Sequence, residues 1–324
     1  MKLTRFAKYV WFVLIINLGV ILWGAYVRAT GSGAGCGSHW PLCNGEVIPR
    51  TEQLETMIEF IHRASSGIAF ILVMGMLVWA LQIYPRGNYV RKATMFSMFF
   101  MVTEALLGAG LVLFELVGEN TSTARAISIS VHLVNTFFLL GSISLTAWWS
   151  SGGAPMKLKW KEAASWLLIL GFLGVLILGM SGALTALGDT LFPVSSLEEG
   201  LRQDFSSTAH FLVRLRILHP TIAVIVSLYL ITMIGWVNSR NPSGRTKNLG
   251  RAVVSLLILQ LLAGLINIIL LAPVWMQLLH LFMSDVIWIC LVLFAADIFG
   301  TAQEVPGRWA RTSSQTAAGS ASST

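Results

Sequence analysis

Four histidines, His62, His132, His219 and His280, stand inside long apolar runs, two in each half of the chain. A membrane bundle rarely places imidazoles inside apolar helices without a use for them. A neutral imidazole can bind a metal through one ring nitrogen. Zinc or copper would prefer additional Cys or carboxylate ligands close by, whereas these histidines are single residues on separate segments. Two facing pairs suit a wide planar macrocycle, so the chemistry expected is axial ligation of two haem irons.

The elements that carry them follow from composition. The chain has 324 residues, 55% hydrophobic and 11% charged, with a mean hydropathy of +0.73. A soluble domain carries about a quarter charged residues, so lipid is the expected solvent. Runs of about 20 apolar residues cross a bilayer as helices. Eight are expected, near 9–29, 57–83, 93–115, 125–149, 162–184, 209–236, 251–271 and 275–298. The first reads as an uncleaved span rather than a signal peptide, and no long Arg/Ser-rich leader precedes it. A bacterial or archaeal cell membrane is therefore expected.

The net charge of +7 does not point to nucleic acid, because the cations cluster in short loops. Lys2, Arg5 and Lys8 precede the first span. Arg86, Arg91 and Lys92, then Lys157, Lys159 and Lys161, then Arg240, Arg245, Lys247 and Arg251 fill alternate connections. The other connections carry Glu46, Glu52 and Glu55, then Glu115 and Glu119, then Asp189, Glu198, Glu199 and Asp204. Positive-inside asymmetry puts both termini in the cytoplasm and the two long connections, 30–56 and 185–208, outside. The Ala/Ser/Thr-rich tail, 302–324, reads as disordered.

The halves repeat. Leu18-Gly19-Val20 aligns with Leu173-Gly174-Val175, and Gly24 with Gly179, at an offset of 155. His62 aligns with His219 at 157, Gly108 with Gly264 at 156, and His132 with His280 at 148. Four spans per half preserve orientation, so the repeat is parallel. The fold expected is an all-α polytopic membrane protein, with eight transmembrane helices in two pseudo-symmetric four-helix bundles, 1–150 and 151–301. All four histidines then lie in the outer leaflet, with span two facing four and six facing eight.

The first outer loop is glycine-rich, Gly31-Ser-Gly-Ala-Gly-Cys36 to Cys43-Asn-Gly. A Cys36–Cys43 disulfide is plausible on the oxidising side; as a staple or as a redox-active pair, both readings stand. Cys290, in mid-span, reads as a small hydrophobe, and His39 as a surface residue.

The run from Gly24 to Asn44, followed by Glu59-Phe-Ile-His62-Arg63, resembles the haem A synthase family. Arg216-Ile-Leu-His219-Pro220 and His280 extend the resemblance over about residues 8–300. The resemblance implies that His62, His132, His219 and His280 ligate haem and that Cys36 and Cys43 pair. It implies a substrate haem O in the first half, oxidised at its C8 methyl to the formyl of haem A, and a resident haem b on His219 and His280. It also implies a partner, the haem O synthase that farnesylates haem B, whose docking surface no motif identifies; the electron acceptor is left open. Some members carry a second cysteine pair in the later outer loop; none occurs here between 185 and 208.

The repeat is asymmetric beside its ligands. Glu59 stands one turn before His62, where the second half has Arg216. An intramembrane carboxylate is a site candidate, and Glu59 is the candidate base or water-positioning group. Pairing with Arg63 or Arg28 is the structural alternative. Arg216 suits a haem propionate. Glu104 and Asp285 could move protons or be paired structurally, and Asn135, Gln260, Asn267 and Gln277 are expected to join helices. Trp11, Trp40, Trp148, Trp149 and Trp275 read as interfacial anchors. A di-haem b-type electron-transfer cytochrome is the competing reading. It has no need of a carboxylate at one haem alone, and a conductor across the membrane would set its irons at two depths. A repeat-built transporter ranks last.

Overall fold

A computed structural model describes residues 3–50, 53–157, 160–240 and 243–300. Lys2, Glu52 and Lys159 of the charge pattern, and the tail 302–324, lie outside the described residues. The helices are α1 (Arg5–Ala29), α2 (Leu54–Ile83), α3 (Tyr89–Leu113), α4 (Thr123–Ser150), α5 (Ala163–Leu191), α6 (Leu197–Asp204), α7 (Phe211–Arg214), α8 (Leu218–Arg240), α9 (Gly244–Ile269) and α10 (Val274–Ile298). Eight helical segments are long and apolar enough to cross a membrane, with Phe211–Arg240 counted as one. The described residues form no strand beyond two isolated bridges. The chain is thus an all-α multi-pass membrane protein.

Helix ends depart from the apolar runs because capping, not hydropathy, sets them. Thr4, Asn88, Ser122 and Ser243 accept from Ala7, Val90, Arg125 and Thr246 N–H at 2.9 to 3.2 Å. The first, third, fourth and seventh segments therefore start earlier than expected. The fifth runs to Leu191 rather than 184, since its last turns bury Leu187 against Leu212 and Ala126.

Two features of the second outer connection were not expected. Ser196 accepts from Glu199 N–H at 3.2 Å, and starts the short helix α6. Its apolar residues Leu197 and Leu201, and Phe205 at its C-terminal cap, are exposed. Before α8 the chain tightens into a 3₁₀ turn, Leu215–Ile217. Pro220 sits in the first turn of α8 and has no N–H to give a preceding carbonyl, so the helix restarts there. Its counterpart α2 runs unbroken through His62.

Contacts run α1 to α2, α2 to α3, α3 to α4 and α4 back to α1; likewise α5 to α8, α8 to α9, α9 to α10 and α10 to α5. In each ring the histidine helices, α2 with α4 and α8 with α10, stand diagonally. The two rings meet through α1, α4, α5 and α10. α4 and α10 are buried along about half their length, the other spans along less than a third. At the centre Trp288 stacks on Phe137, centroids 4.9 Å apart, and donates its indole N–H to the Phe137 carbonyl at 2.6 Å.

Candidate functional site

The four histidines lie at similar distances from the N-terminal ends of their spans. His62 is eight residues after Leu54, His132 nine after Thr123, His219 eight after Phe211 and His280 six after Val274. At about 1.5 Å per residue, all are roughly 9 to 14 Å along their spans. That is closer agreement than the sequence boundaries give.

Each imidazole lies against a glycine on the preceding span. A Cβ on Gly24 of α1 would meet His62 Cε1 at 2.8 Å, and one on Gly182 of α5 would meet His219 Cε1 at 3.0 Å. A Cβ on Gly264 of α9 would meet His280 Cε1 at 3.2 Å, and one on Gly108 of α3 would lie 4.0 Å from His132 Cε1. Gly24, Gly182 and Gly264 let their rings lie flush with the neighbouring helix, whereas Gly108 leaves room for a Cβ beside His132. Gly24 therefore corresponds to Gly182, not Gly179; Gly179 instead receives Phe137 and Leu133.

The His219 and His280 rings are 6.2 Å apart, centre to centre, at 80°. A metal bound between two imidazoles, at about 2 Å from each nitrogen, sets the ring centres about 6 Å apart. The pair thus fits axial ligation of one iron. His219 Nδ1 lies 3.0 Å from Ser181 Oγ. The Nδ1 atoms of His62, His132 and His280 are buried without a hydrogen-bond partner. Among the described residues no group of three His, Cys, Asp or Glu side chains is placed to hold a metal ion.

Glu59 is buried, and its partner is Arg63. Arg63 Nε donates to Oε1 at 3.1 Å, while Oε2 accepts the Cys36 N–H at 2.7 Å. Arg63 also donates to the His39 and Leu42 carbonyls. Thr56 donates to the Gly35 carbonyl at 2.7 Å. The start of α2 thus holds the disulfide loop by its backbone. Arg28 instead reaches the Ala186 carbonyl, Thr190 and Gln277 at 2.7 to 3.0 Å, tying α1 to α5 and α10.

Cys36 and Cys43 form the disulfide, and both are buried. The turn between Cys43 and Glu46 closes through a pair of 2.9 Å backbone bonds. Asn44 and Gly45 both have positive φ there, a conformation these two residue types adopt readily. His39 is exposed and Cys290 partly buried.

Arg216 does not stand free for a propionate. Its Nη2 donates to the Gly188 and Phe192 carbonyls at 2.6 Å. Its Nε lies 3.0 Å from Asp189 and its Nη1 3.7 Å from Asp204. It anchors the second outer connection as Glu59 anchors the first. Burial raises the Asp204 carboxyl above its usual range, while Arg216 opposes that shift.

Glu104 is part of a network the sequence reading left undefined. Its Oε2 accepts from Asn135 Nδ2 at 2.6 Å and its Oε1 from Thr136 Oγ1 at 2.5 Å. Oε1 is 3.7 Å from His132 Nδ1. Its repeat counterpart at an offset of 156 is Gln260, which donates to the His280 carbonyl at 3.0 Å. That offset, already given by Gly108 and Gly264, was the available signal. Of the other polar residues, Asn135 and Gln277 join helices as expected. Asn267 Oδ1 and both Asp285 oxygens are buried without partners.

The sequence profile of the COX15-CtaA family, described as cytochrome oxidase assembly protein, matches residues 7–292. A protein of Thermus thermophilus named protoheme IX farnesyltransferase is 54% identical over 294 residues, covering 91% of this chain and 48% of its own length. The chain thus spans about half the length of that relative. The heme A synthase of Exiguobacterium sibiricum is 33% identical over 139 residues, 43% of this chain and 44% of its own. That of Bacillus mycoides is 41% identical over 115 residues, 35% of this chain and 36% of its own. Since the profile match runs across nearly the whole chain, the protein belongs to the COX15-CtaA family of cytochrome oxidase assembly proteins, the family of the heme A synthases.

Proposed function

We propose that this protein is a haem A synthase, oxidising the C8 methyl of haem O through an alcohol to the formyl group of haem A. The observation that carries the reading is an asymmetric repeat. Two histidine pairs sit at similar distances into their spans, and among the described residues Glu104 stands 3.7 Å from His132 of the first pair, with Glu59 one turn before His62. In this reading residues 1–150 hold haem O as substrate between His62 and His132, and residues 151–301 hold haem b between His219 and His280. Haem b there supplies an electron-transfer centre. Converting the methyl to the formyl with water as oxygen source releases four electrons and four protons, the electrons passing to an external acceptor. Glu59 is the proposed base for these protons. Arg63 keeps its carboxylate fixed one turn from His62.

The basic ends of the spans, from Arg5 and Lys8 to Arg245 and Arg251, face the cytoplasm in this reading, with the disulfide loop outside. The name of the Thermus relative describes farnesyl transfer to protohaem. We assign that activity to the half of it outside the match, and propose that a haem O synthase supplies this chain's substrate. The test is expression in a host that makes haem O but not haem A. Haem A in the extract is expected, and unchanged haem O would contradict the proposal.

A further inference from the structure

The Nδ1 of His132 is buried and makes no hydrogen bond. The polar group found beside it is Glu104 Oε1, 3.7 Å away. This carboxylate is held at both oxygens. Asn135 holds one oxygen and Thr136 the other. Asn135 is itself held by the Phe100 carbonyl at 2.9 Å and by Thr103 Oγ1 at 2.7 Å. Side chains from α3 and α4 therefore keep one carboxylate beside one imidazole.

The second half lacks the carboxylate and the Asn hold of this arrangement. Gln260 replaces Glu104 and gives its amide N–H to the His280 carbonyl. Met283 and Ser284 stand where the first half has Asn135 and Thr136, at the offset of 148 that relates His132 to His280. His280 Nδ1 is without a partner, and His219 has the Ser181 hydroxyl and the Leu178 backbone, both neutral. No anion is placed against either ligand of that pair among the described residues. A ligating histidine commonly gives its second ring N–H to a fixed acceptor, and an anionic acceptor makes the imidazole a stronger donor to the metal. A stronger axial donor favours the oxidised iron and lowers its potential.

We propose that Glu104 is the positioning residue of the first site: it takes the Nδ1–H of His132, fixes the ring so that its other nitrogen faces the iron, and lowers that iron's potential. The proposal rests on reading His62 and His132 as haem ligands, and deepens it. Glu104 acts through His132 and need not touch the reacting methyl.

The test is a spectroelectrochemical titration of the purified, haem-loaded full chain. Glu104→Gln is expected to move one redox wave upward and leave the other in place. Gln260→Glu is expected to move the other wave downward. If Glu104→Gln fails to retain its first haem, Asn135→Ala, which frees one oxygen of the same carboxylate, decides by moving or not moving that wave. Haem retained with both waves unmoved, even with a lower melting temperature, would show a packing role alone and overturn the proposal. A wild-type chain that binds no haem would overturn the reading of the histidines, and this proposal with it.

Discussion

Glu59 and Arg216 occupy one position of the repeat, three residues before His62 and His219, and each holds the outer loop of its own half. Glu59 does so by accepting the Cys36 N–H, Arg216 by donating to the Gly188 and Phe192 carbonyls. One position thus carries opposite charges with a shared structural duty. Only the carboxylate can also accept a proton from substrate or water.

Glu59→Gln separates the two duties. The amide oxygen can still accept from Cys36, so loop and haem content should persist. Loss of a general base costs about 10²- to 10⁴-fold in rate. Haem O turnover is the measurement, with bound haem quantified in parallel. Full activity would remove Glu59 from the chemistry.

Arg216→Ala leaves Asp189 and Asp204 without their shared cation in a largely buried setting. Breaking such a buried pair costs about 3 to 5 kcal/mol. A lower melting temperature in detergent is expected, with the second-half haem the more easily lost. An unchanged melting temperature would mean that the anchor is dispensable.

Asp204 gives the same loop a pH dependence. Its folded-state pKa lies above the usual 3.8, so the folded form binds the proton more tightly than the unfolded form. Its contribution to stability is present below the usual value and lost as pH rises through the raised one. Asp204→Asn should flatten the fall in melting temperature on raising pH from about 4. A fall of unchanged slope would assign that dependence elsewhere.

Gly24→Ala places a Cβ 2.8 Å from His62 Cε1, whereas Gly19→Ala meets nothing within 4 Å. The first should displace the ring and reduce haem at that site. The second should leave haem unchanged and raise helix stability by up to about 1 kcal/mol. Equal haem content in both would show that the ring is not held by this contact.

Burial of both cysteines favours the staple over the redox pair, because exchange requires a thiolate to reach the sulfur. A mild thiol reductant should leave the Cys36–Cys43 bond intact in the folded protein, as read by thiol alkylation and mass spectrometry. Rapid reduction without unfolding would restore the redox reading.

The spans and the histidines were legible because long apolar runs and an offset of 157 survive without knowledge of packing. Helix ends were not, since Thr4 and Ser122 set them through local caps. α6 carries only eight residues with four charges, too short and polar for an apolar-run criterion, although Ser196 and Glu199 marked its start. The alignment of Gly24 with Gly179 followed a constant offset of 155. In the structure Gly182 meets His219, because each glycine must sit opposite a ring and not at a fixed chain distance. Glu104 was visible as a charge in an apolar run. Its meaning depended on α3 lying beside α4, a contact that no single segment encodes.

The most direct measurement is of the haems that co-purify with the protein. The chain would be co-expressed with a haem O synthase and purified, and its haems identified by chromatography and mass spectrometry. Haem B together with haem O, its alcohol or haem A is the predicted result. Haem B alone, two per chain and unaltered with haem O available, would contradict the account and favour an electron-transfer cytochrome.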